Sequence, residues 1–176
     1  MTTKISHQEL VQTLMKALYK DDFSTVEELL NQGVNINLPY NHYGWTPFMW
    51  VCKEHCDPEI IEKFLQYNPK LNLKNKQGQT ALHIMVCHRS SFTCPYILIE
   101  KGADVNAQDN VGNTPLMAML SHPQISMRMV IAWNLLLLTD LTIKNNKGET
   151  AYDIAKANPA FDDKRFLEML KESANA

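Results

Sequence analysis

Asn75-Lys-Gln-Gly-Gln-Thr-Ala-Leu-His83 opens the stretch that decides the fold, and Glu100-Lys-Gly-Ala-Asp-Val-Asn-Ala-Gln-Asp109 closes it. Asn75 to Gly78 is turn chemistry, with Gly78 suited to a positive φ. Thr80 then stands where a hydroxyl caps the unpaired N–H groups of a following helix. Ala81-Leu-His-Ile-Met-Val86 supplies a first short helix and Pro95 to Lys101 a second. Gly102 is a left-handed stop for that second helix. The stretch therefore reads as a turn plus two antiparallel helices. Neither helix buries its apolar face alone, so such units must stack.

The opening motif recurs. Gly44-Trp-Thr-Pro47, Gly78-Gln-Thr-Ala81, Gly112-Asn-Thr-Pro115 and Gly148-Glu-Thr-Ala151 lie 34, 34 and 36 residues apart. A fixed period in that range marks stacked supersecondary units. Pro47 and Pro115 occupy the first helical position, where a missing N–H costs nothing.

Thr80-Ala-Leu-His83, followed by Gly102-Ala-Asp-Val-Asn-Ala107, resembles the ankyrin repeat. The resemblance covers almost the whole chain and implies an all-α solenoid of about five helix-turn-helix units with short β-turn fingers. The unit boundaries expected are 5–40, 41–74, 75–108, 109–144 and 145–176, forming a single domain of three full repeats between two caps. Asn68 replaces the helix-stopping Gly in the second unit and retains access to the left-handed region. The fourth unit has Met117 where the family has histidine, and extra residues around His122-Pro-Gln124. The last has Thr150-Ala-Tyr-Asp153 and a closing helix from about Asp163 to Glu172. The first, Ser6 to Leu38, lacks the Gly-x-Thr start and carries polar Gln8, Gln12 and Lys16. Within it Ser24-Thr-Val-Glu27 matches a capping box. The resemblance also implies that His83 braces neighbouring turns through hydrogen bonds, with Thr80 as its partner.

Composition narrows the function. The 176 residues are 45% hydrophobic and 20% charged, with a formal charge of −2, which argues against a general nucleic-acid surface. The N-terminus has no apolar run of a signal peptide, and four cysteines without such a signal fit reduced thiols in the cytoplasm. The most apolar run, Met129 to Leu141, is too short for a bilayer and reads as a buried helix, with its leucine stretch exposed in part unless covered.

Chemistry is absent at the level of motifs. No Gly-rich phosphate loop, His-Glu-x-x-His or Gly-x-Ser-x-Gly occurs, so neither enzyme activity nor a cofactor is expected. Cys52, Cys56, Cys87 and His88 form the best metal candidate. Zinc sites usually show tighter Cys pairs, and small buried thiols at helix interfaces account for the same residues.

A monomer that binds a protein partner is the expected function, as adaptor, scaffold or inhibitor. In the family, the concave side made by the fingers and first helices commonly does this. The residues placed there are His42, Tyr43, Trp45, Lys76, Gln77, Gln79, Asn110, Val111, Asn113, Lys147 and Glu149 on the fingers. Lys53, Glu54, His88, Arg89, Ser121 and His122 join them at the first-helix ends. Tyr43 and Trp45 stand out, because large aromatics dominate interface hot spots. Packing of Trp45 onto Pro47 or the N-terminal unit is the competing reading. Lys74, Lys76, Lys144 and Lys147 place positive charge near two fingers, as solvated side chains or as an acidic partner's counterpart. Two other readings stand beside this one: an effector delivered by a bacterium or virus into a host cell, and a metal-binding protein built on the Cys/His group.

Overall fold

The computed structural model describes residues 6–88, 93–123, 129–161 and 163–174. Ten helices occur among them, in five consecutive pairs. The first members are α1 (His7–Leu18), α3 (Pro47–Glu54), α5 (Ala81–Cys87), α7 (Pro115–Leu120) and α9 (Ala151–Ala157). The second members are α2 (Phe23–Asn31), α4 (Pro58–Leu65), α6 (Cys94–Glu100), α8 (Met129–Leu136) and α10 (Lys164–Ala174). First helices pack on one another in sequence order, α1 to α3 to α5 to α7 to α9, and each also packs on its own partner. That is the stacked solenoid the period requires.

Local chemistry starts each unit as expected. Thr46, Thr80, Thr114 and Thr150 are the N-caps of α3, α5, α7 and α9. Thr46 Oγ1 accepts from Met49 N at 3.2 Å and Thr114 Oγ1 from Met117 N at 3.3 Å. Such a cap is worth about 1 kcal/mol. Gly78 has φ of 77°, and Asn68, the substitute stop, has φ of 51°. Successive helices then bury one continuous apolar layer, which includes Leu14, Val51, Phe64, Leu82, Met85, Leu98, Leu116, Leu135 and Phe166. Truncating one such side chain to alanine costs about 2–5 kcal/mol.

Three local expectations need correction. The capping box of the N-terminal unit is Ser6 with Glu9: the Ser6 N–H donates to Glu9 Oε2 at 2.7 Å, and Glu9 N to Ser6 Oγ at 3.2 Å. Ser24 lies inside α2, whose cap is Asp22, accepting from Thr25 N at 3.1 Å. Asp21, at φ 55°, turns the chain just before Asp22, two residues ahead of Ser24, so Ser24 already lies in the first turn of α2. Second, the apolar run beginning at Met129 is helical only to Leu136. Leu137 and Leu138 leave the helix and are exposed, Leu137 by 73%. Third, Gln8 and Gln12 are more than a polar outer face. Their amides donate to the carbonyls of Pro39 (3.1 Å) and Tyr40 (2.8 Å), pinning α1 to the approach of the first finger. No helix among the described residues is long and apolar enough to cross a membrane.

Candidate functional site: the fingers and the groove beneath them

Each finger is held by the side chain at its first position. Asn41, Asn75, Asp109 and Asn145 begin the four turns. The Oδ1 of each accepts the N–H groups two and four residues on: Tyr43 and Trp45, Gln77 and Gln79, Val111 and Asn113, Lys147 and Glu149, all at 2.9–3.1 Å. This is Asx-turn chemistry used twice per residue, and it explains why only Asn or Asp stands there. The signal was present, as four Asx residues three positions before each Gly.

His83 locks the second finger to the third. Its Nδ1 accepts from the Thr80 N–H (3.2 Å) and faces the Thr80 hydroxyl (2.9 Å), while Nε2 lies 3.0 Å from the Asn113 carbonyl. A backbone N–H only donates and a carbonyl only accepts, so the ring carries its proton on Nε2. Burial holds the His83 pKa below its ordinary value, with the Asn113 bond opposing in part. The bracing role read from the sequence is the one observed.

The expected binding residues divide into two groups. At the first finger His42 and Tyr43 are exposed and lie against each other, ring centroids 3.8 Å apart. Trp45 is half-buried against the core, and its N–H goes to Asn41. Lys53 and Glu54 pair with each other at 2.6 Å. Lys76 and Gln77 are exposed at the second fingertip, Gln79 is half-buried and accepts from Asn75 Nδ2, and His88 is half-buried at the end of α5. Arg89 lies outside the described residues. Among the lysines, the Lys74 ammonium is not simply solvated: it donates to the Gln108 carbonyl at 2.7 Å.

At the other end, Val111, Asn113, Ser121, Lys147 and Glu149 line one groove of about 730 Å³. Its floor adds Ile154, Ala157, Pro159 and Ala160, together with Pro123 and Asn158, none of them anticipated. Val111 is 58% exposed. The wall is amide-rich: Asn145 Nδ2 donates to Asn113 Oδ1 (3.0 Å) and to Glu149 Oε2 (2.9 Å). Asn158 Nδ2 donates to the carbonyls of Leu120 (2.7 Å) and His122 (3.1 Å), which fixes the floor. Asn110 stands on the third fingertip beside the groove.

A second feature was also missed. Tyr19, exposed, stands edge-on to Trp50 at 5.1 Å, and Trp50 lies 5.0 Å from His55. His55 in turn is 3.3 Å from Asp21 and T-shaped to Phe23. Burial and the bond with Tyr19 raise the Tyr40 hydroxyl pKa above its usual value.

The candidate metal ligands do not converge. Among the described residues no group of three or more His, Cys, Asp or Glu is arranged to hold an ion. Cys52 is fully buried and its thiol is pushed up by burial and by nearby Cys94, while Cys94 Sγ donates to the Cys56 carbonyl at 3.1 Å. Cys52 and Cys94 are buried in the core, and Cys56 and Cys87 are half-buried against it.

A model of ankyrin repeats in three copies matches residues 14–109, more than half of the chain. The chain belongs to the ankyrin-repeat family. It is 29% identical over 118 residues to an ankyrin repeat-containing protein of Schizosaccharomyces pombe, covering 67% of this chain and 54% of that one. It is 32% identical over 124 residues to an ankyrin repeat, SAM and basic leucine zipper domain-containing protein of Carollia perspicillata, covering 67% and 26%. The Dasypus novemcinctus protein of the same name is 31% identical over 131 residues, covering 71% and 27%. The chain thus spans about half the length of the first relative and about a quarter of the others. Ankyrin repeats are in general protein–protein interaction modules.

Proposed function

We propose that this protein binds another protein through the finger and first-helix side, with the groove beneath the third and fourth fingers as the principal seat. The groove carries the reading. It is of a size that takes a side-chain cluster or short segment, its floor is apolar, and its wall offers amides at fixed positions. Val111 at its rim is an exposed apolar side chain on a rigid turn, which loses little entropy on binding. The first fingertip, His42 and Tyr43, supplies a second, outlying contact. Binding acts by occupancy, as an adaptor, scaffold or inhibitor does, without chemistry of its own, and the five units work as one domain.

The test is recovery of partners from lysate by wild type, a Val111→Asp/Ile154→Arg double variant and Tyr43→Ala, each checked for folding by circular dichroism. Loss with the double variant and partial loss with Tyr43→Ala is expected. Full recovery by both folded variants would remove the finger side as the binding surface.

A further inference from the structure

The fingers form a ladder with a direction. The carbonyl just before each Gly accepts an N–H from the next finger: Tyr43 from Lys76 (2.9 Å), Gln77 from Asn110 (2.9 Å) and Val111 from Asn146 (3.0 Å). At the last two steps the same asparagine bonds twice. Asn110 Nδ2 donates to the Lys76 carbonyl at 2.7 Å, and Asn146 Nδ2 to the Asn110 carbonyl at 2.9 Å. The fit leaves no room for a Cβ on the preceding glycine. One at Gly112 would lie 2.6 Å from the Asn146 nitrogen, and one at Gly78 would collide with the Asn110 backbone.

The fourth finger repeats this shape without its sequel. Asn145 N donates to the Glu149 carbonyl at 2.9 Å, as Asn75 does to Gln79 and Asp109 to Asn113 at 3.0 and 2.9 Å. Lys147 holds the place of Tyr43, Gln77 and Val111, yet among the described residues its carbonyl receives no hydrogen bond. A Cβ on Gly148 would meet no described atom within 4 Å. Lys147 and Asn146 also line the groove described above.

We infer that this open edge is a binding site for a turn or extended segment of a partner protein carrying an asparagine. That residue adds a rung: its main-chain N–H donates to the Lys147 carbonyl and its side-chain amide to the Asn146 carbonyl. The inference deepens the groove reading and rests on it. Continuity selects this occupant, because the same pair of acceptors is already filled in the same way at the two preceding steps. The mode is main-chain addition to an existing ladder, in which the backbone gives affinity and the side chain gives selectivity. An aspartate in the asparagine's place would present acceptors to acceptors.

Gly148→Ala tests it. The new methyl meets no described atom within 4 Å but stands where the next finger's asparagine stands at Gly78 and Gly112. Gly102→Ala is the matched control: Gly102 also has positive φ (95°) and open space for a Cβ, but at the end of α6. The probe is a disulfide-cyclised peptide bearing Lys144–Thr150 of this protein's own fourth finger, with its second asparagine intact or changed to Asp. Binding at millimolar peptide is read from backbone amide shifts of Lys147 to Glu149. We expect saturable shifts with wild type and with Gly102→Ala. Gly148→Ala, or the Asp peptide, should weaken binding about tenfold, the worth of one lost hydrogen bond plus a clash. Absence of binding to wild type, or equal binding to Gly148→Ala, overturns the inference. Lysate partners separate it from the groove reading. A partner lost with Val111→Asp/Ile154→Arg but kept by Gly148→Ala sinks the added rung alone, and one kept by all variants sinks both.

Discussion

Between α5 and α7 the stack is fastened by a buried side chain, whereas between α7 and α9 the equivalent side chain is apolar. His83 reaches from its own cap to the Asn113 carbonyl of the next finger. Met117 occupies the matching place in α7, 1% exposed, and Asp153 in α9 turns back to Thr150 N and Oγ1 at 2.8 and 2.7 Å. At the α7–α9 step the cross-link is instead made by amides nearer solvent, Asn145 and Asn158. The groove lies at the second of these steps, lined by Val111, Asn113, Asn145 and Ile154. The two steps thus differ in what joins them, a histidine at one and asparagine amides at the other.

The largest break in this comparison comes from the ladder. Gly78→Ala must push the third finger off the second, at about 3 kcal/mol or more in urea unfolding. Gly148→Ala carries only the positive-φ strain, about 1 kcal/mol. Equal losses would mean that the fingers do not touch as described.

Next comes the histidine. His83→Ala removes the bridge, leaves the Thr80 N–H without its acceptor and opens a cavity, for about 2–3 kcal/mol. His83→Met converts this step into its neighbour's chemistry and should recover part of that loss. The two variants also fix the pH response. Because burial lowers the folded-state pKa of His83 below 6.5, the unfolded chain takes up its proton first. Stability is then full above about pH 6.5 and declines as pH falls through the imidazole range. His83→Met should flatten the change in urea midpoint between pH 7 and pH 5. A decline of unchanged size would assign it to other groups. Asp153, held below the usual carboxylate range by its bonds to Thr150, titrates lower and leaves that window clean.

How far the sequence reveals the molecule follows from what is local. The threonine caps, the glycine turns and the His83–Thr80 pairing depend on residues within four positions, and the motif displays them. The groove depends on Val111, Ile154 and Pro159 meeting across two units. Only their register in space joins them, so Ile154 and Pro159 escaped notice. Tyr19, Trp50 and His55 form their cluster across units in the same way. Trp45, singled out for its size, has its N–H on Asn41 and its ring half-buried against the core, a placement that its size alone does not reveal. The run after Met129 looked like one helix because composition is blind to where the chain must turn back, here at Leu137.

The smallest effect separates two serines that look alike in sequence. Ser6-His-Gln-Glu9 and Ser24-Thr-Val-Glu27 both match a capping box, and only the first is one. Ser6→Ala should cost about 1 kcal/mol, since the N–H of Glu9 loses its acceptor and α1 loses its start. Ser24→Ala, inside α2, replaces serine with a better helix former and should change stability by less than about 0.5 kcal/mol. The cap that α2 does use predicts a rescue test within the same turn. Asp22→Ala should behave like Ser6→Ala, because Asp22 Oδ1 and Oδ2 hold both Thr25 N and Thr25 Oγ1. If Ser24→Ala proved the costly change and Asp22→Ala the silent one, α2 would begin two residues later than described. The left-handed turn at Asp21 would then have no structural reason to exist.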